Sequence, residues 1–512
     1  MKEKRNTTPS SIRGISAWMR YIFIAMAAAA SLSGIVLRSV ELANHNYVFV
    51  YDQGLDMMAA RSIAVGHKLT LIGAEAGGGF AGLPGIFHGP GYHYLLAAIS
   101  IFSRGDPYGA MAVLWVMHMG EIWFLYVLGK RLFGRWGGVG AAFMTAVSPV
   151  FIGMTRVIWA PNFAGLCIVL YLFALFTSRP ARTRSMMVLG FMASVLYNFE
   201  IPLAVAAVLS AIGYMWLVQK IRRPLYWAAF ISGCVAGFLP MIAFDARHGW
   251  TTVRGIIGFF THPVILSTSV PYDIAGHIRA ILFYINGIFP SISGLPYWFW
   301  TALLVLGVWV YRRRDTRIQR YPGVTALGII AVVHILLFVP YRNPVYGHYL
   351  TILSYAVVLT VGYIVARMHE ERYDWMIGII LLAVAIPALL LYPRTAYADY
   401  RDYGGTAKIK GKTDAIDAVY RLAGGKPFNL LIFTPPVYTY PYEYLLQWYA
   451  KDRYGYTPGQ KKQGTVFLLI EPDPEKPWSY NGWLETVIQT GTVESTVTLP
   501  SGFIIQKRFM KL

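Results

Sequence analysis

Tyr51-Asp52-Gln53-Gly54-Leu55-Asp56 sets two carboxylates four residues apart, just beyond the first long apolar run of a chain that is poor in acid. In a helix residues four apart are neighbours, so Asp52 and Asp56 would share one face. A carboxylate held at a lipid–water boundary is partly desolvated, and its proton affinity rises toward that of a useful general base. The same residues admit a structural reading, with Asp52 capping the helix and Asp56 paired to a base such as Arg61. Asp52, nearest the exit of the apolar run, is assigned the catalytic role, with Asp56 and Gln53 in support.

A second group is Phe87-His88-Gly89-Pro90-Gly91-Tyr92-His93-Tyr94, a Gly/Pro turn leading into a short apolar segment. His88 lies on the turn and could donate to an anion, while His93 and Tyr94 read equally well as interfacial aromatics. Two histidines five apart with no third ligand are a weak metal signal. Third, Thr155-Arg156-Val157-Ile158-Trp159-Ala160-Pro161-Asn162 places a cation in a short turn between apolar runs. Arg156 needs a partner there, either an acid or a phosphate matching its planar fork of donors, and phosphate is the reading adopted. Glu200, and Asp245 beside Arg247, read by default as structural ion pairs. Arg254 and the pair Tyr341-Arg342-Asn343 and His348-Tyr349 complete the polar groups. Arg342 and His348 join Arg156 as candidate phosphate ligands, and Tyr92, Trp159 and Asn162 are placed on the acceptor or sugar side.

These groups have to be positioned by a chain of 512 residues that is 56% hydrophobic and 14% charged, well short of the charge of a soluble domain. The pattern is that of a polytopic membrane protein. A net charge of +20 would suggest nucleic acid if it formed one patch. Instead the basic residues fall in short clusters between apolar runs, at every second connection, which reports topology and contact with anionic lipid. Cys167 and Cys234 both lie within apolar runs, so neither a disulfide framework nor a Cys-based metal site is expected. With the basic connections in the cytoplasm, about eleven spans are expected, near 20–38, 108–129, 137–155, 162–178, 185–198, 201–219, 225–244, 294–311, 322–340, 347–367 and 374–391. The segment 91–103 is too short to cross and reads as re-entrant or interfacial.

The expected organisation is a cytoplasmic segment 1–19, a membrane domain 20–392 with a first outer loop 39–107, and a small extracytoplasmic α/β domain 393–512. In the last, Thr413 to Leu422 has helical apolar spacing, and Leu430 to Phe433 and Val466 to Ile470 are short buried-strand runs.

An Asp-acid/amide-Gly loop, a Gly66-His67-Lys68-Leu69-Thr70 step and the Phe87-His88-Gly89-Pro90-Gly91-Tyr92 turn together resemble the GT-C glycosyltransferases. The branch they resemble most contains the protein O-mannosyltransferases and lipid A aminoarabinose transferases. Arg156 to Asn162 is similar to the Arg-aromatic-Pro-Asn/Asp step of bacterial members. The resemblance covers residues 20–180 and continues as hydropathy alone to about 390. It implies a GT-C type helical membrane fold, a polyprenyl-phosphate sugar donor, inversion at the anomeric carbon, and an essential first-loop acid, by position Asp52. The chain departs where the family often has Asp-Glu, here Asp52-Gln53, and where the aminoarabinose branch has Glu-Lys, here His88-Gly89.

The expected function is therefore an inverting glycosyltransferase of the cytoplasmic membrane, with its site on the outer face and a glycan, lipid or protein acceptor. No cofactor is implied, although Asp52 with a second acid and water could hold a divalent ion. The alternative is a transporter or flippase of lipid-linked sugars, which would place ionisable residues at mid-membrane, where the sequence offers chiefly Glu121.

Overall fold

The computed structural model describes residues 17–76, 84–178, 182–261, 273–291, 295–314, 322–341, 343–435, 438–473 and 475–511. Backbone inside lipid must satisfy its own polar groups, and each run expected to span is helical. The chain opens with α1 (Ala17–Arg38), the short α2 (Val40–Asn44), α3 (Tyr51–Ala64) and the twelve-residue α4 (Gly91–Phe102). There follow α5 (Tyr108–Phe133), α6 (Arg135–Val147), α7 (Pro149–Thr155), α8 (Ala160–Thr177), α9 (Thr183–Val195) and α10 (Ile201–Gly213). The membrane part closes with α11 (Pro224–Arg247), α12 (Thr251–Thr261), α13 (Ile274–Gly287), α14 (Phe299–Arg314), α15 (Pro322–Phe338), α16 (Thr351–Glu370) and α17 (Asp374–Arg401).

Among the described residues seven helices are long and apolar enough to cross a bilayer, and α6 with α7 would make an eighth. The runs expected at 185–198, 294–311 and 322–340 form α9, α14 and α15, of 13, 16 and 17 residues, shorter than a straight crossing needs. The run 137–155 is not one rod: α6 and α7 meet at 60°. The carbonyls freed at that break are taken up by the buried Arg38 guanidinium, which donates to Thr145 at 2.6 Å and to Ala146, and by Tyr392, which donates to Val147 at 2.5 Å. The nearly fully buried α16 packs on α6 and α15 at the centre of the bundle.

α17 runs past residue 393 to Arg401 with Pro387 and Pro393 inside it, so the C-terminal sheet-containing unit begins after Arg401. That unit contains α18 (Ile409–Ala423), β1 (Asn429–Phe433), α19 (Tyr440–Leu445), β2 (Gly464–Ile470), β3 (Thr492–Thr498) and β4 (Ile504–Met510). The sheet order is β1-β2-β4-β3, with β1 and β2 parallel and the other pairs antiparallel. β2 is covered on both faces, which is why its sequence is an unbroken apolar run. Below the sheet, Lys412 donates to Glu471 at 2.8 Å and Tyr442 donates to the same carboxylate at 2.6 Å, joining α18, α19 and the end of β2.

The two parts meet at α3. Ile409 N–H donates to Tyr47 carbonyl at 2.9 Å and Phe49 N–H to Ala407 carbonyl at 3.0 Å. At Gly54 the helices touch backbone to backbone, since a Cβ there would lie 2.3 Å from the Pro441 nitrogen.

Candidate active site

The start of α3 is set by Gln53. Its Oε1 accepts from Val50 N–H at 3.0 Å, and its Nε2 donates to Ile158 carbonyl at 2.8 Å. A carboxylate could accept the first bond but not donate the second, which accounts for an amide where the resembling family often has Glu. Gln53 is thus buried and positional, tying α3 to the turn before α8.

With the helix fixed, Asp52 opens onto a cavity of about 1120 Å³. Enough protein surrounds its carboxyl that desolvation, with Asp56 close by, holds its pKa above the ordinary aspartate value. Asp56, one turn on, is buried and hydrogen-bonded to His93 Nε2 at 3.1 Å rather than to Arg61. The two carboxylates therefore differ: both line the cavity, but Asp52 is exposed there and Asp56 is buried and held by an imidazole on α4.

His88 is delivered by a short antiparallel ladder. Its N–H and its Nδ1 both engage Ala74 carbonyl, at 2.9 and 3.0 Å, while Ala76 N–H donates to Ile86 carbonyl at 2.7 Å. The following turn is clamped on Asn198, whose Oδ1 accepts from Gly91 N–H at 2.8 Å. A Cβ at Gly89 or Gly91 would come within 2.4 or 2.8 Å of the Asn198 side chain, so the Gly-Pro-Gly turn needs both glycines. This docking leaves His88 Nε2 at 3.6 Å from Glu200 Oε1. His348 Nε2 lies 3.8 Å from Glu200 Oε2, so one carboxylate stands between two imidazoles. Burial alone would depress the His88 pKa, but Glu200 foremost, then Ala74 carbonyl and Asp56, raise it above the ordinary histidine value.

The remaining sequence candidates divide. Tyr92 lines the cavity with its hydroxyl buried and unpaired among the described residues, and Trp159 lines it with its ring edge-on to His348 at 4.6 Å. Arg156 does not line it. Its guanidinium is taken by Glu41, at 2.8 and 2.5 Å, and by Asp399, at 2.5 Å, the acid partner that was the competing reading. Asn162 also lies off the wall and donates to Val157 carbonyl at 2.8 Å within its own turn. Arg342 lies outside the described residues, although Tyr341 and Asn343 on either side of it line the cavity. Asp245 caps α12 by accepting from Thr252 and Val253 N–H, at 2.9 and 3.1 Å, in place of an ion pair with Arg247.

Sequence reasoning named Glu200 among the outer polar groups but read it by default as a structural ion pair. The signal was present in Asn198-Phe199-Glu200-Ile201-Pro202, where an acid stands immediately before a proline-led helix start between two apolar runs. The cavity also has a second character that no motif carries. Beyond Glu200 its wall turns apolar, through Ile201, Pro202, Val205, Leu337 and Phe338. No group of three or more metal-ligating side chains occurs among the described residues.

A bundle of this kind, with a short helix behind a first-loop acid and a C-terminal sheet domain against it, is a multi-pass membrane protein of the GT-C fold. No family model and no curated protein matches the sequence. Among solved structures the chain is similar to ArnT from Cupriavidus metallidurans bound to undecaprenyl phosphate, with a TM-score of 0.58 and 11% identity over 96% of this chain and 98% of that one. The apo form of the same protein gives a TM-score of 0.56 and 11% identity over 95% and 97%. The Archaeoglobus fulgidus oligosaccharyltransferase is more distant, with a TM-score of 0.48 and 12% identity over 93% of this chain and 72% of that chain. At such identities the likeness is one of fold.

Proposed function

We propose that this chain is an inverting glycosyltransferase that moves a sugar from a polyprenyl-phosphate donor to an acceptor hydroxyl on a glycan, lipid or protein. The reaction would take place at the outer face of the cytoplasmic membrane. The observation that carries the reading is the two-sided cavity: Asp52 and the imidazole groups line one part of its wall, and Ile201, Pro202, Val205, Leu337 and Phe338 line another. A ligand with a charged head and a hydrocarbon tail matches such a wall, and the GT-C neighbour ArnT binds one, undecaprenyl phosphate.

In this reaction Asp52 takes the proton of the acceptor hydroxyl as its oxygen bonds to the anomeric carbon, and the bond to the donor phosphate oxygen breaks with its electron pair leaving on phosphate. General-base help of this kind is worth roughly 10²–10⁴-fold. Tyr92 and Trp159 stand on the sugar side, and Arg342 and His348 are placed at the donor phosphate. The transporter reading loses support from Glu121. This buried acid accepts from Tyr355 at 2.8 Å, pairs with His118 Nδ1 at 2.9 Å and does not line the cavity.

The test is to reconstitute the purified chain in vesicles with radiolabelled polyprenyl-phosphate sugars and a mixed acceptor pool. Label that leaves the lipid for an acceptor supports transfer. Label that crosses the bilayer still attached to its lipid contradicts it.

A further inference from the structure

Taking the proposed lipid-phosphate donor as given, we infer that a cation at its phosphate end is His88, poised by Glu200 and flanked by His348, with His88 Nε2 as the group that binds the phosphate. Three geometric observations lead there. First, the described residues lining the cavity include three histidines and four carboxylates but neither lysine nor arginine. Among the described residues, imidazolium is the counter-charge this wall can offer a phosphate. Second, His88 Nδ1 is committed as a donor to the Ala74 carbonyl, so the neutral ring carries its lone pair on Nε2. Nε2 is the atom that faces Glu200 at 3.6 Å, beyond a close hydrogen bond. Third, the trio sits where the cavity turns apolar, at the first residues of α10, which is where the head of a membrane-anchored ligand must stop.

The charge balance makes this a conditional site. With His88 protonated its charge offsets that of Glu200, and with His88 neutral the Glu200 carboxylate is left uncompensated and repels phosphate. The groups around the pair are Glu200 between the rings, Asp56 beyond His88, and Tyr341 and Tyr349 beside Glu200. Glu75 and His93 share the wall. The raised proton affinity of His88 agrees with a cation held ready for an anion. When the glycosidic bond to phosphate breaks, the electron pair arrives on an oxygen that His88 Nε2–H can meet with a charge-assisted hydrogen bond, and no proton need be transferred.

The experiment is binding of undecaprenyl phosphate to the detergent-solubilised full chain as a function of pH, for the wild type, His88→Lys and His88→Ala. The ligand's own ionisation is common to all three and cancels in the comparison. Wild-type affinity should fall about tenfold per pH unit once His88 deprotonates. His88→Lys, which keeps the Glu200 pairing, should hold its affinity to higher pH, and His88→Ala should bind weakly with the steep fall removed. A pH profile in His88→Lys that superimposes on the wild type would overturn the proposal, whether or not His88→Ala folds. The two levels separate cleanly. A wild type that binds no undecaprenyl phosphate at any pH defeats the lipid-donor reading, whereas tight binding indifferent to residue 88 defeats only the histidine assignment.

Discussion

At the scale of single residues the site depends on two carboxylates one helical turn apart being made unlike. Asp52 must be ionised to act as a base, and partial desolvation by the surrounding protein, then Asp56, hold its pKa above the ordinary aspartate value. Transfer should therefore fall as pH drops through that raised pKa, with an acid limb higher than an unperturbed aspartate would give. Asp56→Asn keeps a hydrogen-bonding side chain beside His93 and deletes one negative charge, so it should move the acid limb to lower pH without removing it, because burial is the larger cause. A pH–rate series on both proteins checks this, and an unmoved limb would show that the two carboxylates are not coupled. The place of Asp52 on the cavity wall was legible in the sequence because an acid at the exit of an apolar run is conspicuous. Arg156 was not, because both of its partners come from far along the chain: Glu41 lies 115 residues before it and Asp399 lies 243 residues after it. No local pattern tells a fold-back acid from a bound phosphate.

At the scale of elements, the site rests on the first turn of α3 being pinned on two sides, by Gln53 on Ile158 and by Gly54 on Pro441. Gly54→Ala forces apart two backbones with nowhere to move, and overpacking of this sort costs about 1–3 kcal/mol. A lowered melting temperature together with reduced transfer is the expected outcome. An unchanged melting temperature would mean that the sheet domain is not seated on α3 as described. Within that domain, Lys412→Met leaves Glu471 buried without its cation, and losing one partner of a buried pair costs on the order of 3–5 kcal/mol. Chemical denaturation would read this as an early unfolding step of the C-terminal unit. Long apolar helices were legible because length and composition alone define them, as were α18, β1 and β2, each of which has a covered apolar side. β3 was not, because it is an exposed edge strand, Thr-Val-Glu-Ser-Thr-Val-Thr, with no buried face to imprint a pattern. The break between α6 and α7 was hidden because an apolar run reads the same whether straight or bent.

At the scale of the whole molecule, the proposed function has the cavity and the sheet domain face away from the cytoplasm, with the basic clusters on the cytoplasmic side. In a background with Cys167→Ser and Cys234→Ser, Lys426→Cys should react with a membrane-impermeant maleimide on intact cells, and Arg222→Cys only after permeabilisation. Both positions are exposed, so the reverse pattern would invert the topology. The account's central claim is that Asp52 deprotonates an acceptor attacking a lipid-phosphate sugar, and one measurement reaches it most directly. Transfer of radiolabel from a polyprenyl-phosphate sugar to acceptor is compared for the wild type and Asp52→Asn in the same vesicles, with undecaprenyl phosphate binding measured in parallel. The expected result is a loss of transfer of roughly 10²–10⁴-fold with binding kept within a few-fold. Transfer at the wild-type rate in Asp52→Asn would contradict it.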